Sequence, residues 1–382
     1  MLHFSTDEFS GRLKRLQAEM AAGQLDAMLL FAQESMYWLT GYDTFGFCFF
    51  QSLLVRADGP MALLTRSADL RQAQHTSTLA DIRVWTDRKD ATPAEQLLAM
   101  CNDLGVSKGR IGVEFDSYGL THANGRKLEA AFAGDFELVD ASQIVTRLRA
   151  VKSAAEIAYV REAARLSDAA DAAGIAAVHA GADEGDILAA QHNAIFSAGG
   201  DYPANEFIIG SGRDALLCRY KSGRRKLDER DQITLEFAGV YRHYHAALMR
   251  TITIGDVSPR HSELYTAAHE ALLACEAEIR PGRTAGDVFA AHARVMDSHG
   301  LEEHRLAACG YSLGAKFSPS WMDWPMFYRG NEWVLESGMV LFAHMILMDS
   351  DSGTAMCLGR TSLTTEKGSE VLNGADAGLQ MR

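Results

Sequence analysis

Apolar positions at Phe9, Leu13, Leu16 and Met20 recur at helical spacing between Asp7 and Gly23, which predicts an amphipathic helix closed by a glycine. Beyond it, short apolar runs at residues 27–31, 47–56, 61–65, 82–85, 111–115 and 136–139 read as strands. Helical patterns lie between several of them, at 67–76, 93–104 (with Pro93 at the start) and 118–131. Such alternation predicts a self-contained α/β domain. Near residue 145 the pattern changes to a long Ala-rich helical run reaching Ala180, opened by Ser153 and Glu156 at capping-box spacing. The boundary is placed there, separating 1–145 from 146–382. The second part continues with a helix after Asp183, a strand near 207–210, helices at 259–279 and 284–299, and glycine-broken strand-like runs from Leu306 to Leu372. Long helices against an antiparallel sheet are the expected arrangement.

The most informative stretch is 233–254. It reads as two β-rich runs joined at a polar turn near Tyr241-Arg242-His243, with one carboxylate, Glu236, inside an otherwise apolar strand. A buried charge without a partner is costly, so Glu236 requires a cation, a set of hydrogen bonds or a chemical task.

This stretch resembles the metal-binding hairpin of the pita-bread-fold family of methionine aminopeptidase, aminopeptidase P, prolidase and creatinase. The family pattern Asp-x-Gly-x-x-x-x-Gly-Tyr-x-x-Asp-x-Thr-Arg-Thr runs here from Glu236 to Thr251, with Tyr244, Arg250 and Thr251 kept. The Leu-Arg-x-x-Lys-Ser-x-x-Glu-Ile wording at 148–157 is similar to the start of the same family's catalytic domain. The resemblance implies an α/β N-terminal domain of creatinase type and an α+β pita-bread catalytic domain, a curved antiparallel sheet flanked by helices.

Metal-dependent members hold two ions with two Asp, one His and two Glu. Taken residue by residue, those positions fall on Glu236, Ala247, Tyr311, His344 and Gly359. Ala and Gly supply no side-chain donor, so no catalytic metal and no other cofactor are expected. His243 with His245 offers a competing pair, but lacks a third ligand at suitable spacing.

The resemblance extends to a metal-free, creatinase-like branch whose substrates are zwitterions with an amidinium or guanidinium at one end and a carboxylate at the other. It rests on 234–242, on Gly310-Tyr311-Ser312-Leu313-Gly314-Ala315-Lys316-Phe317 and on Trp321-Met322-Asp323-Trp324-Pro325. It implies C–N hydrolysis of a cyclic amidinium. Glu236 would be nucleophile or general base, with His344 and Tyr311 as candidates for proton delivery. Arg219, beside Tyr220, suits a bidentate hold on a substrate carboxylate. Trp321 and Trp324 are candidates to stack on the cation. The aromatic cluster of Trp38, Tyr42, Phe45 and Phe47 either packs the first domain or, as the family layout implies, reaches a partner subunit's pocket in a homodimer. Arg250 is expected to pair within the sheet. The alternatives are an amidinohydrolase on another zwitterion, an Xaa-Pro metallopeptidase and a non-catalytic binding module.

Composition narrows the field further. The 382 residues are 47% hydrophobic and carry a net charge of −13. This argues against nucleic acid or an anionic membrane surface as the main partner. No run is long enough to span a bilayer and no basic-then-apolar leader opens the chain, so a cytoplasmic location is expected. The six cysteines show no Cys-x-x-Cys or zinc spacing and are expected as buried thiols, Cys218 and Cys309 lying closest to the motifs.

Overall fold

The computed structural model describes residues 2–219 and 221–382. The chain divides into two compact units, Met1–Arg149 and Ala150–Arg382.

In the first unit, strands β1 (Ala27–Leu30), β2 (Ser52–Arg56), β3 (Met61–Arg66), β4 (Asp81–Trp85), β5 (Gly109–Val113) and β6 (Phe136–Asp140) form a six-stranded sheet in the order β4-β3-β2-β1-β5-β6. The β1–β2 and β2–β3 pairs are antiparallel; β3–β4, β1–β5 and β5–β6 are parallel. Helices α1 (Thr6–Ala22), α2 (Gln33–Thr40), α3 (Leu70–Thr76), α4 (Pro93–Asp103), α5 (His122–Phe132) and α6 (Ser142–Ala150) complete it. Side chains of β1 alternate between two cores. Ala27 and Leu29 pack with Leu97, Met100 and Leu128, while Met28 and Leu30 pack with Leu16, Met20 and Val145. Both faces of the sheet are therefore covered, which explains apolar runs in place of polar–apolar alternation.

Two expectations shift, and one helix goes unanticipated. Residues 47–50 do not belong to a strand: Thr44 Oγ1 accepts the Gly46 N–H, Phe49 N–H reaches Gly46 O, and a 3₁₀ turn covers Gly46–Cys48. Local turn bonds override the aromatic β-propensity there. Helix α5 starts at His122, four residues after Tyr118, because Thr121 caps it by accepting the Asn124 N–H. Helix α2 carries no sequence signal of its own, since all of its residues are buried.

The second unit opens with α7 (Ala154–Ala177), whose capping box between Ser153 and Glu156 is formed in both directions. Helices α8 (Glu184–Ser197), α9 (Pro259–Glu278) and α10 (Ala285–Ser298) follow the expected pattern. Strands β7 (Ile208–Ser211), β8 (Asp231–Tyr241), β9 (Tyr244–Ile254), β10 (Ala308–Ser312), β11 (Asp323–Tyr328), β12 (Val340–Asp349) and β13 (Thr354–Thr365) are ordered β11-β10-β12-β13-β9-β8-β7. Neighbours along this path are antiparallel. Two short strands, β14 (Gly368–Val371) and β15 (Gln380–Met381), bring the sheet to nine.

The hairpin β8–β9 pairs Tyr241 with Tyr244 across Arg242 and His243, whose φ values are 53° and 65°. Two consecutive left-handed residues are the primed turn that suits the twist of a tight hairpin. Successive strand residues face opposite ways, and the helices take the odd-numbered face of β8. At Gly239 the α7 backbone comes so close that any side chain would run into the Ala163 carbonyl. Arg250, opposite Leu235 on that face, forms a 2.7 Å ion pair with Asp171 of α7 and donates to Asp376 O. Its partner is thus a helix and not a strand, and burial holds the Asp171 pKa up at about 6 despite the nearby guanidinium.

Candidate active site

On the other face of β8, register places five positions together. Glu236 lies opposite Met249, Met249 opposite Gly359, Gly359 opposite His344, and Tyr311 opposite Phe342, while Ala247 precedes Met249 by two. One face of the second unit thus carries Glu236, Ala247, Tyr311, His344 and Gly359. Their gathering depends on five strands, β8, β9, β10, β12 and β13, that span more of the sequence than any local pattern covers.

Glu236 is buried, at 7% exposure. Tyr311 Oη donates to Glu236 Oε1 at 3.2 Å, and Trp321 Nε1 donates to Tyr311 Oη at 2.9 Å. Trp321 is in turn fixed through its backbone N–H, which donates to Asn205 Oδ1 at 3.0 Å. Burial pushes the Glu236 pKa from 4.5 up to about 7, opposed by the Tyr311 hydrogen bond and then by the positive charge of Arg219. Burial also raises Tyr311, which stays a phenol and a donor.

His344 contributes differently from the sequence expectation. Burial, together with the neighbouring His292 and Arg219, lowers its pKa to about 3, and its Nδ1 has no hydrogen-bond partner among the described residues. It is a neutral imidazole near pH 7, and the group matched to proton exchange there is Glu236. The rings of Tyr311 and His344 lie 5.5 Å apart, each about as far from Phe342.

Arg219 is exposed on the segment before β8, with its Nη1 donating to Cys218 O, yet its charge acts on Glu236, Tyr311 and His344 alike. Tyr220 lies outside the described residues. Trp324 sits half-buried on β11, and among the described residues no hydrogen bond or ring contact joins it to Glu236, Tyr311 or His344. In the first unit Trp38 and Tyr42 are core residues. Trp38 is packed by the guanidinium groups of Arg12 and Arg15, and the Tyr42 hydroxyl meets Gln51 and Thr65. Neither presents surface to a ligand, whereas Phe45 is 78% exposed.

A two-ion centre of the kind the family implies does not fit these residues. Ala247 and Gly359 provide no donor atom, and no cluster of three or more His, Cys, Asp or Glu able to hold an ion occurs among the described residues. The His243–His245 pair is ruled out by geometry. His245 Nε2 accepts the Ala204 N–H while Nδ1 faces Gly314 O, so neither nitrogen has a lone pair to spare, and His243 stacks on Phe317. Cys309 is buried beside Cys275 and its thiol is held protonated by burial. Cys218 is half-buried, with burial again raising its pKa.

Residues 158–366 match Metallopeptidase family M24, and residues 12–151 match the Creatinase/Prolidase N-terminal domain. The chain belongs to family M24. This M24 protein joins a creatinase-type N-terminal domain to a pita-bread domain, as the hairpin implied, and it is a hydrolase of that family. It is 26% identical to the ectoine hydrolase of Halomonas elongata over 97% of this chain and 96% of that protein. It is 27% identical to the creatinase of a Bacillus species, over 90% of this chain and 84% of that one. Among solved structures, recombinant prolidase from Thermococcus sibiricus superposes with a TM-score of 0.88 at 19% identity, covering 99% of this chain and all of that one. That likeness speaks for the fold alone.

Sequence reasoning missed Phe342 and Asn205. Phe342 was within reach, because it precedes His344 by two on one strand and so shares its face. Asn205 lies in a loop with no periodicity to reveal it.

Proposed function

We propose that this M24 protein is a metal-independent hydrolase that opens a cyclic amidinium zwitterion, with ectoine as the first candidate and hydroxyectoine as the second. The observation that carries the reading is Glu236. It is a buried carboxylate with one hydrogen bond, from Tyr311, among the described residues, and with a pKa lifted to about 7. Such a group gains most from a ligand that brings its own positive charge. An amidinium does so and places an electrophilic carbon beside the carboxylate. The exposed Arg219 suits the substrate carboxylate.

In the chemistry proposed, Glu236 takes a proton from water as the water oxygen bonds to the amidinium carbon, or attacks that carbon itself. In the first route the ring C–N bond then breaks, the leaving nitrogen takes up the proton held by Glu236, and the carbon keeps the water oxygen as an amide; in the second, C–N cleavage with a proton from solvent leaves the carbon esterified to Glu236, and water then hydrolyses that ester at the Glu236 carboxyl carbon, freeing the carboxylate and the amide. With ectoine the product is an N-acetyl-diaminobutyrate. Tyr311, held by Trp321, orients Glu236 and supplies a hydrogen bond as charge develops. Substrate, enzyme and product all fit a cytoplasmic homodimer that degrades an osmolyte.

The experiment is incubation with ectoine after exhaustive chelation, with mass spectrometry for ring opening and elemental analysis of the dialysed protein. Full turnover by metal-free protein is expected. Activity that tracks a tightly bound ion would overturn the reading and favour an Xaa-Pro peptidase.

A further inference from the structure

Among the five gathered positions, Gly359 lacks any side chain, yet its space is not empty. A Cβ placed there would stand 2.9 Å from Cζ of Phe342, 2.9 Å from Ala343 O and 3.1 Å from His344 Cα. The first two distances are shorter than real Cβ atoms show, and the third is tighter than most. The Phe342 ring leans across the strand pair onto Gly359, and Phe342 itself is fully buried. It is one corner of a triangle with Tyr311 at 5.4 Å and His344 at 5.6 Å, the latter two being 5.5 Å apart.

We propose that Phe342 and Gly359 form one coupled device, a ring in a hole, that keeps ions out of this pocket and positions Tyr311 and His344. The inference rests on the metal-independent reading above and gives it a steric cause beyond missing donors. An ion bound between Glu236 and a side chain at 359 would need the volume that the ring fills. The ring also excludes water from the same place, since a close-packed aromatic leaves no room for it. Fully buried, Phe342 acts through its neighbours. Its edge and face contacts hold the Tyr311 ring, whose hydroxyl must stay aligned on Glu236.

The device predicts an order of events for rebuilding an ion site. Gly359→Glu alone adds a third donor beside Glu236 and His344, but the ring obstructs it. Gly359→Glu with Phe342→Ala supplies the donor and removes the ring, leaving only the Ala343 carbonyl and His344 Cα, which a small shift of the strand pair must accommodate. With Co2+ as the probe, bound cobalt after gel filtration is expected to stay at background in wild type and in the single variant, and to rise to about one per chain in the double variant. Cobalt in the single variant equal to that in the double, or none in either, would overturn the proposal. Neither result depends on turnover, so failure here is separable from failure of the ectoine assay.

Should either glutamate variant not fold, Gly359→Ala provides the second measurement. It is expected to lower the unfolding midpoint in the wild-type background and to lower it less in the Phe342→Ala background. Equal losses would overturn the coupling. For the positioning role, Phe342→Ala is expected to reduce kcat about tenfold with KM little changed, and Phe342→Leu to restore most of it. A loss in Phe342→Ala that Phe342→Leu does not restore, or one confined to KM, would refute that role.

Discussion

Replacing Glu236 by Gln is expected to stabilise the protein, and to do so more as pH rises from about 4.5 to about 7. The wild-type carboxyl has a folded-state pKa of about 7 against an ordinary 4.5. The folded chain therefore holds this proton more tightly than the unfolded chain does, and the stability it contributes is fully present below pH 4.5. That contribution is lost as pH rises through about 7. At ~1.36 kcal/mol for each pH unit by which the two values differ, keeping the carboxylate charged and buried costs about 3 kcal/mol near pH 8. Gln still offers a carbonyl to the Tyr311 hydroxyl, has nearly the same volume and does not titrate. Urea unfolding of both proteins near pH 5 and near pH 8 isolates the term, because every other titrating group is shared. The variant should gain about 1 kcal/mol at the lower pH and about 3 kcal/mol at the higher. A gain no larger near pH 8 than near pH 5, or a variant less stable at both, would refute the account of Glu236 as a charge held in an unfavourable place. A stabilised but inactive variant is the pattern expected where function requires local strain.

The same variant should lose turnover by several orders of magnitude, as deletion of a nucleophile or base does, while staying folded; near-normal activity would exclude both roles. In wild type, kcat/KM should rise with pH through about 7, where Glu236 loses its proton; a limb at ordinary carboxylate pH would show that burial does not set its protonation. Trp321→Phe removes the 2.9 Å hydrogen bond to Tyr311 but keeps an aromatic, though smaller, side chain there. It should lower kcat on the order of tenfold, the effect of ~1.4 kcal/mol of lost orientation, and circular dichroism should show an intact fold. Sedimentation should find a homodimer, and an active monomer would remove any role for the exposed Phe45 at a partner's pocket.

Where the chain's pattern was local, it was legible. The capping box at Ser153, the helical patterns of α1 and α9 and the polar turn near Tyr241-Arg242-His243 each depend on neighbours in sequence, and each is found within a few residues of its expected place. Glu236 stood out because a carboxylate inside an apolar strand breaks the rule for strands. What sequence hid depended on distant neighbours. Helix α2 is buried all round, so it has no polar face to reveal its period. Trp38 and Tyr42 look like ligand-stacking aromatics until the core around them is known. The protonation of His344 follows from burial and from His292 on helix α10, distant in sequence.

The closeness of α7 to β8 sets where this enzyme's selectivity can be redesigned. At Gly239 helix backbone lies directly on strand backbone, and Arg250 is clamped to Asp171 of the same helix. The strand that carries Glu236 therefore has a rigid back and cannot bow to admit a larger ligand. Libraries seeking new substrates should leave the hairpin untouched and vary the segment around Arg219, where the chain is exposed and adjustment costs little packing.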